Sequence, residues 1–348
     1  MEKMTKRIEY IDAMRGFTMI LVVMAHVISY SYSGIEGFSW GKFFTLFRMP
    51  LFFFVSGFIM FKPSREWNRG VTWDFIKKKF KVQIIPTIVF LSIYLYLFNL
   101  DLLYAIDDKY KAGYWFTPIL FIYFFIYSFG SLLLTKFLRI GGGISDCVLF
   151  VIGLFLMFLD TKYVTRMMTE HHVINVFSIQ QWKFLVFFVI GVLVRRYFDK
   201  VVKILDDSYF MPSVIVTFIA SVLFFYDVEC NIWWMKLEFL GWGLLGLIIV
   251  FSFFKKYEAS FRNDTVQGRV LQYIGKRTLD IYLLHYILLP RNLQMFGHFF
   301  SENHNPTLEL FISLLLSLIV IAICLLTSNI IRLSPILAHW LFGVKRLN

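Results

Sequence analysis

The sequence predicts an all-α fold, a polytopic membrane helical bundle of about ten transmembrane helices. Composition is the first observation behind this prediction, since 58% of the 348 residues are hydrophobic and only 17% are charged. Soluble domains average about 25% charged residues. The second observation is that apolar runs close to the ~20 residues that cross a bilayer as a helix recur along the whole chain. Together they exclude an ordinary soluble domain.

The predicted spans occupy nearly all of the chain. They are 13–32, 43–61, 82–100, 114–134, 144–160, 181–198, 211–227, 232–254, 270–290 and 308–331. Because these segments and their short connections leave little else, we expect a single integral-membrane domain over 1–348 and no appended soluble domain.

The positively charged residues lie mainly in the connections between the predicted spans. The formal net charge is +12, and most of the 35 Lys and Arg residues fall in alternate connections. This alternation indicates that those connections are cytoplasmic, which for an even number of spans places the N- and C-termini in the cytoplasm. Membrane topology therefore accounts for the charge, and we expect membrane lipid, but no nucleic acid, as a partner.

The first span carries ionisable residues on one face. The eleven steps from Arg15 to His26 rotate an α-helix by about 20° beyond three turns, so both side chains project from one side, about 16 Å apart along the axis. Asp12 lies three residues before Arg15, close enough to pair with it. Each residue by itself has a structural explanation. His26 could form a hydrogen bond between helices, and the side chain of Arg15 could extend to the membrane surface. Their shared face favours a functional stripe, in which His26 has the chemistry of a general base.

The most basic connection, 62–81, ends in the stretch DFIKKKFKVQIIP. Its candidate ligand-binding residues are Lys78, Lys79 and Lys81, which together are suited to a polyanion. The alternative is that these lysines determine topology and lie against anionic lipid headgroups. The sequence leaves both interpretations open.

Five further positions are candidates for an acceptor site or pocket. Arg48 is expected near the outer rim, where it could grip an anionic or carbonyl group or anchor its helix. Ser56, next to Gly57, could line a pocket or allow close helix packing. Trp115 fits an aromatic belt better than a sugar-stacking role. Tyr282 and His285 are three residues apart and share a helix face, which places a second histidine inside the membrane.

Neither the cysteines nor the remaining histidines predict a metal site. Cys147, Cys230 and Cys324 are too few and too scattered for a disulfide framework. His171 and His172 are adjacent, so their side chains diverge, and no third ligand follows at a useful spacing. We therefore expect no metal and no bound cofactor.

Three separated stretches carry a resemblance to a known family. They are IDAMRGFTMILVVMAHV at 11–27, FRMPLFFFVSGF at 47–58 and RTLDIYLLHYILLP at 277–290. In this combination the chain resembles the acyltransferase family three membrane proteins, which modify cell-envelope glycans. The spacing of Arg15 and His26 matches a pair regarded as essential in that family. Where relatives often carry a basic pair before the third helix, this chain has Lys79 and Val82.

The resemblance implies a multi-pass O-acyltransferase of the bacterial cytoplasmic (inner) membrane. Acyl-CoA, expected to be acetyl-CoA, would approach from the cytoplasm as the donor substrate, with the lysines of 78–81 holding its phosphates. The acceptor would be a hydroxyl of a surface glycan or a lipid-linked saccharide. His26 would act as the base or as an acyl relay, Arg15 would orient and polarise the donor thioester, and Asp12 would hold Arg15.

A second class of function uses the same polar stripe as a pathway. Buried histidines in a many-helix protein also fit a proton-coupled transporter or a glycolipid flippase. Against it, the sequence shows no inverted repeat and few carboxylates inside the predicted spans. Consumption of an acyl-CoA would discriminate between the two classes.

Overall fold

The computed structural model of the chain describes residues 8–32, 39–159, 175, 178–225, 231–303 and 305–344. All regular secondary structure within these residues is helical, and none of them forms a strand. The all-α prediction is therefore confirmed. His171, His172 and Cys230, considered above for metal and disulfide chemistry, lie outside the described residues.

The α-helices are numbered here in chain order. They are α1 (Glu9–His26), α2 (Trp40–Thr45), α3 (Arg48–Met60), α4 (Arg69–Lys79), α5 (Ile85–Leu97), α6 (Leu102–Asp107), α7 (Phe116–Leu132), α8 (Gly142–Phe158), α9 (Leu185–Arg196), α10 (Phe198–Leu205), α11 (Phe210–Phe225), α12 (Ile232–Lys256), α13 (Val266–Lys276), α14 (Thr278–Leu288), α15 (Gln294–Asn303), α16 (Pro306–Ile331) and α17 (Pro335–Phe342). Wider π-helical turns at Val27–Tyr32, Phe80–Ile84 and Leu133–Phe137 follow α1, α4 and α7.

Several helices are long and apolar enough to cross a membrane. Within the described residues there are 6, or up to 7 if α10 and α11, bent by 76°, count as one span. The six are Glu9–Tyr32, Trp40–Met60, Arg69–Leu97, Phe116–Phe137, Ile232–Lys256 and Pro306–Ile331. The shorter apolar helix α8 coincides with the span predicted at 144–160, and the short apolar helix α14 forms only part of the span predicted at 270–290. A multi-pass membrane protein is thus supported, while the count of ten and the cytoplasmic termini stay predictions.

Two predicted boundaries are wrong. The segment 62–81 was expected to connect two spans, but its second half is helical from Arg69 and continues through Phe80–Ile84 into α5. Asn68 caps this helix by accepting a hydrogen bond from the Val71 amide, and lysines are good helix formers, so the charged residues do not end it. The span predicted at 270–290 is two helices, because the backbone leaves the helical region at Arg277 (φ −112°, ψ 17°).

The chain divides into two units, each made of two separated segments. The first unit comprises Met1–Val55 and Asp199–Leu326, and the second comprises Ser56–Phe198 and Thr327–Asn348. Each unit is described by itself below.

The first unit is organised around α1, the most buried of the candidate spans. Thr265 caps α13 by accepting a hydrogen bond from the Gly268 amide, and this helix packs on α1 through glycines. A Cβ added to Gly16 would lie 2.0 Å from the carbonyl oxygen of Leu271, and one added to Gly275 would lie 1.9 Å from that of Asp12. Only glycine permits this approach of the two backbones, which brings the polar end of α1 against the α13–α14 junction.

The second unit has an aromatic core. Phe188, fully buried, contacts the rings of Tyr123, Phe124 and Tyr127 from α7. Beside this cluster, a Cβ added to Gly57 would lie 1.9 Å from the Phe188 carbonyl oxygen, so α3 and α9 are in backbone contact. The close packing expected at the Ser56–Gly57 pair is therefore present at the glycine.

Candidate functional site

The polar end of α1 contains a network centred on Arg15. Its Nη1 lies 3.6 Å from Oδ1 of Asp12, and its Nη2 donates a 2.8 Å hydrogen bond to Oγ1 of Thr278. Asp12 and Thr278 are both 4% exposed, so the guanidinium is held by two buried groups on different helices. The expected pairing of Asp12 with Arg15 is present. Thr278 is a partner that the spacing along α1 could not reveal.

A second ion pair lies at the start of α14. Nη1 of Arg277 lies 3.3 Å from Oδ2 of Asp280, whose side chain is buried. Arg277 directly precedes Thr278, the hydrogen-bond partner of Arg15, so both guanidinium groups lie near the junction where α13 ends. This end of the first unit therefore combines two arginine–aspartate pairs with a buried hydroxyl.

His26, at the other end of α1, is held by a tyrosine. Its Nε2 shares a 3.0 Å hydrogen bond with the hydroxyl of Tyr286, and the two ring centroids are 4.9 Å apart. Tyr286 is 3% exposed, whereas His26 is only partly buried. The ring of Tyr30, itself exposed, lies 5.7 Å from that of His26. The imidazole is thus fixed on its buried side and open on another.

The ring of His285 lies next to that of His26, with 5.3 Å between the two ring centroids. Its Nδ1 lies 3.0 Å from the Ile281 carbonyl oxygen and 2.8 Å from that of Tyr282. Because carbonyl oxygens only accept hydrogen bonds, Nδ1 carries the proton in the neutral ring and Nε2 carries the lone pair. His285 is fully buried, and its Nε2 has no hydrogen-bond partner among the described residues. The site therefore contains an unused buried acceptor.

Arg48 and Tyr282 are the other two candidate residues that lie near the histidines. The guanidinium of Arg48 is close enough to His26 to act electrostatically on its imidazole. The ring centroid of Tyr282 lies 6.0 Å from that of His285, which fits the shared face expected for this pair. The first unit therefore brings Arg48 and both histidines into one cluster, although the sequence assigned His26 to catalysis and the other two to a candidate acceptor site or pocket.

Tyr286 is the residue of this cluster that sequence reasoning missed. The pairing rule that linked Tyr282 to His285 applies equally at four residues, and Tyr286 lies four residues after Tyr282. A helix projection shows which residues share a face, but it does not show which residue of another helix they meet. The contact joins residues 260 positions apart.

The candidate polyanion lysines belong to the second unit and have different surroundings. Nζ of Lys79 lies 3.8 Å from the centroid of the Phe124 ring, and Nζ of Lys81 lies 5.0 Å from that of Trp340. Lys78 is exposed. Two of the three ammonium groups thus lie on aromatic faces.

Two remaining candidates also lie in the second unit. Trp115, partly buried, stacks on Phe184 with ring centroids 6.0 Å apart and an interplanar angle of 24°. Ser56 is partly buried on α3, next to the glycine that contacts Phe188. Within the described part of the chain, no group of three or more His, Cys, Asp or Glu residues could hold a metal ion.

This geometry suits proton transfer next to a bound reactant. A partly open imidazole held by a neighbouring hydroxyl is the arrangement of a general base, and a guanidinium nearby is suited to stabilise developing negative charge. Arg15, with two buried partners, is a second fixed positive group on the same helix.

Comparison with known proteins gives one match. A family model described as an acyltransferase domain matches residues 8–328, a range that includes all of the site residues above. No curated protein and no solved structure matches the chain.

Proposed function

The chain belongs to acyltransferase family three, whose model covers residues 8–328, and from this premise we propose that it is a membrane O-acyltransferase. Its donor is acyl-CoA from the cytoplasm, with acetyl as the expected acyl group. Its acceptor is a hydroxyl of a cell-envelope glycan or lipid-linked saccharide, and its location is the bacterial cytoplasmic membrane.

The observation that carries this proposal is the environment of His26. A histidine inside an apolar helix needs a polar partner, and Tyr286 supplies it at Nε2. Nδ1 of His26 makes no hydrogen bond to any described residue. Because the ring is also partly exposed, Nδ1 is the nitrogen available to an incoming hydroxyl.

The reaction follows from this placement. His26 takes the proton of the acceptor hydroxyl as the oxygen attacks the thioester carbonyl carbon, and a carbon–oxygen bond forms. The carbon–sulfur bond then breaks, and the departing coenzyme A thiolate takes a proton from the imidazolium. Tyr286 keeps the ring oriented through both steps.

The arginines have complementary roles in this proposal. Arg48 stabilises the negative charge that develops on the carbonyl oxygen during attack. Arg15, held by Asp12 and Thr278, orients the donor, for which a rigid guanidinium is better suited than a mobile ammonium. Family membership favours this enzymatic account over the transporter or flippase account.

Transfer of labelled acetyl groups tests the proposal. Membranes containing wild type, His26→Ala or His298→Ala at matched abundance are incubated with acetyl-labelled coenzyme A and the host's envelope glycan fraction. His298 is an exposed histidine on α15 of the same unit and serves as the matched control. We expect label in the glycan with wild type and His298→Ala, and at least a hundredfold less with His26→Ala, as for loss of a general base.

Other outcomes separate the parts of the proposal. Equal labelling by His26→Ala would show an acyltransferase whose chemistry lies on another residue. Failure of wild type to label any glycan from a panel of acyl-CoA donors and acceptors, while it moves a glycolipid across the bilayer, would contradict the enzymatic proposal.

A further inference from the structure

A cavity in the second unit has no role in the chemistry described so far. It has a volume of about 340 Å³ and lies where α3, α7, α8 and α9 end or begin. Its walls include Arg65, Trp67, Tyr127, Ser145 and Arg196. Pockets for small organic ligands start at roughly 300 Å³, so the space exceeds what a lone ion needs.

Four of the six charged residues that line the cavity are cationic. Lys62, Arg65, Lys136 and Arg196 line it, against Glu66 and Asp146. Asp146 is already engaged through both oxygens, since Oδ1 accepts a 2.8 Å hydrogen bond from the Tyr127 hydroxyl and Oδ2 accepts a 2.6 Å bond from Nε of Arg196. The remaining lining charges are therefore net positive, with Lys62, Arg65 and Lys136 against Glu66.

Arg65 is a partly buried cation of the cavity that has no acidic partner among the described residues. Its Nη1 donates a 3.2 Å hydrogen bond to the Met60 carbonyl oxygen, and no carboxylate among the described residues forms an ion pair with it. Its guanidinium carbon lies 5.2 Å from the centroid of the Trp67 ring and 5.0 Å from that of Phe75. Burial lowers the pKa of Arg65 from its ordinary value, a sign that the charge lacks compensation.

Ser145 adds an unused polar atom to the same walls. Its side chain is 1% exposed, and its Oγ has no hydrogen-bond partner among the described residues. A buried hydroxyl without a partner costs free energy unless a ligand or water completes its bonding. Together with Arg65, it marks a place where an anion with acceptor oxygens would gain hydrogen bonds that the protein itself leaves unmade.

The aromatic walls indicate what accompanies the anion. Trp67 is partly buried, and its ring contacts those of Phe75 and Tyr127 edge to face. Guanidinium groups bind phosphate oxygens, and aromatic side chains offer stacking surfaces to nucleobases. The combination suits a phosphorylated nucleotide better than a simple anion.

We propose that this cavity binds a phosphorylated nucleotide, which for this enzyme is the nucleotide end of the coenzyme A donor. The assignment to the donor rests on the function proposed above. It places donor phosphates against Arg65 and the cations around it, a set that does not include Lys78, Lys79 or Lys81.

Binding of defined probes to the purified full-length protein tests the inference. The probes are coenzyme A and adenosine 3′,5′-bisphosphate, measured by calorimetry on wild type, Arg65→Ala, Arg65→Lys and Arg69→Ala. Arg69 is the matched control, because its guanidinium also rests on an aromatic ring, 5.6 Å from the centroid of Phe137, but does not line the cavity.

We expect Arg65→Ala to weaken the binding of both probes about tenfold or more, as for loss of a charged hydrogen bond, and Arg69→Ala to bind as wild type does. Arg65→Lys, which keeps the charge and loses the planar fork, is expected between them. If Arg65→Ala does not fold, the affinity of Arg65→Lys for the two probes still tests the inference.

The outcomes also distinguish this inference from the proposed function. Unchanged affinity of both Arg65 variants for both probes, or no binding of either probe to wild type, overturns the inference even if acetyl transfer is observed. Weaker binding of adenosine 3′,5′-bisphosphate with unchanged coenzyme A binding supports a nucleotide site but assigns it to a free nucleotide. Loss of nucleotide binding in Arg65→Ala supports the cavity even if no acyl transfer is found.

Discussion

At the scale of single residues, the site depends on hydrogen bonds that fix one imidazole and leave another with a free acceptor. Nε2 of His26 is bonded to Tyr286, while Nδ1 of His285 is bonded to the backbone of its own helix. The sequence predicted that both histidines are site residues, because an ionisable side chain inside an apolar segment costs free energy and is seldom present without a role. It did not predict Tyr286 or Thr278, since hydrogen-bond partners on another helix depend on tertiary packing.

Replacing Tyr286 by Phe removes the hydrogen bond to His26 and keeps the ring. We expect acyl transfer to fall about tenfold with little loss of stability, because one hydrogen bond that strengthens toward the imidazolium is lost. Tyr123→Phe is the control, since it also removes one buried bond, from the hydroxyl to the Gln181 carbonyl oxygen, but lies in the second unit. Equal activity of Tyr286→Phe and wild type, measured as initial rates at matched abundance, would contradict an orienting role.

At the scale of helices, the contact between α1 and α13 positions the polar network. Gly16 and Gly275 each meet a backbone carbonyl of the opposite helix, at distances that no Cβ could occupy. This approach brings Asp12 and Arg15 within reach of Thr278, which directly follows the break at Arg277. The amphipathic pattern predicted the polar face of α1, but the break in the predicted span 270–290 depends on packing that local sequence does not encode.

Gly275→Ala is expected to lower both stability and activity. The added methyl group would lie 1.9 Å from the Asp12 carbonyl oxygen, so α1 and α13 must separate, and overpacking of this kind costs about 1–3 kcal/mol. The thermal midpoint in detergent is expected to fall by several degrees.

The control for this prediction is Gly241→Ala in α12, where an added methyl group meets nothing within 4 Å. Alanine is the better helix former, so this variant is expected to equal or slightly exceed wild type in stability. Equal thermal midpoints for Gly275→Ala and Gly241→Ala would show that backbone contact is not what holds α1.

At the scale of the whole molecule, hydropathy predicts the membrane spans and says little about their grouping. Predicted segments such as 43–61 and 232–254 lie within a few residues of Trp40–Met60 and Ile232–Lys256, because burial in lipid imposes a length and a composition. The two units each join distant parts of the chain, and the single domain over 1–348 stays a prediction. The cavity at Arg65 also escaped prediction, because its walls come from separate segments.

The central claim is that His26 performs the proton transfer of an acyl-CoA-dependent reaction. The most direct measurement is the rate at which purified, reconstituted enzyme releases free coenzyme A from acetyl-CoA in the presence of acceptor, compared between wild type, His26→Ala and His298→Ala. We predict that His26→Ala releases coenzyme A at least about a hundredfold more slowly, while His298→Ala matches wild type. Release by His26→Ala at the wild-type rate would contradict the account.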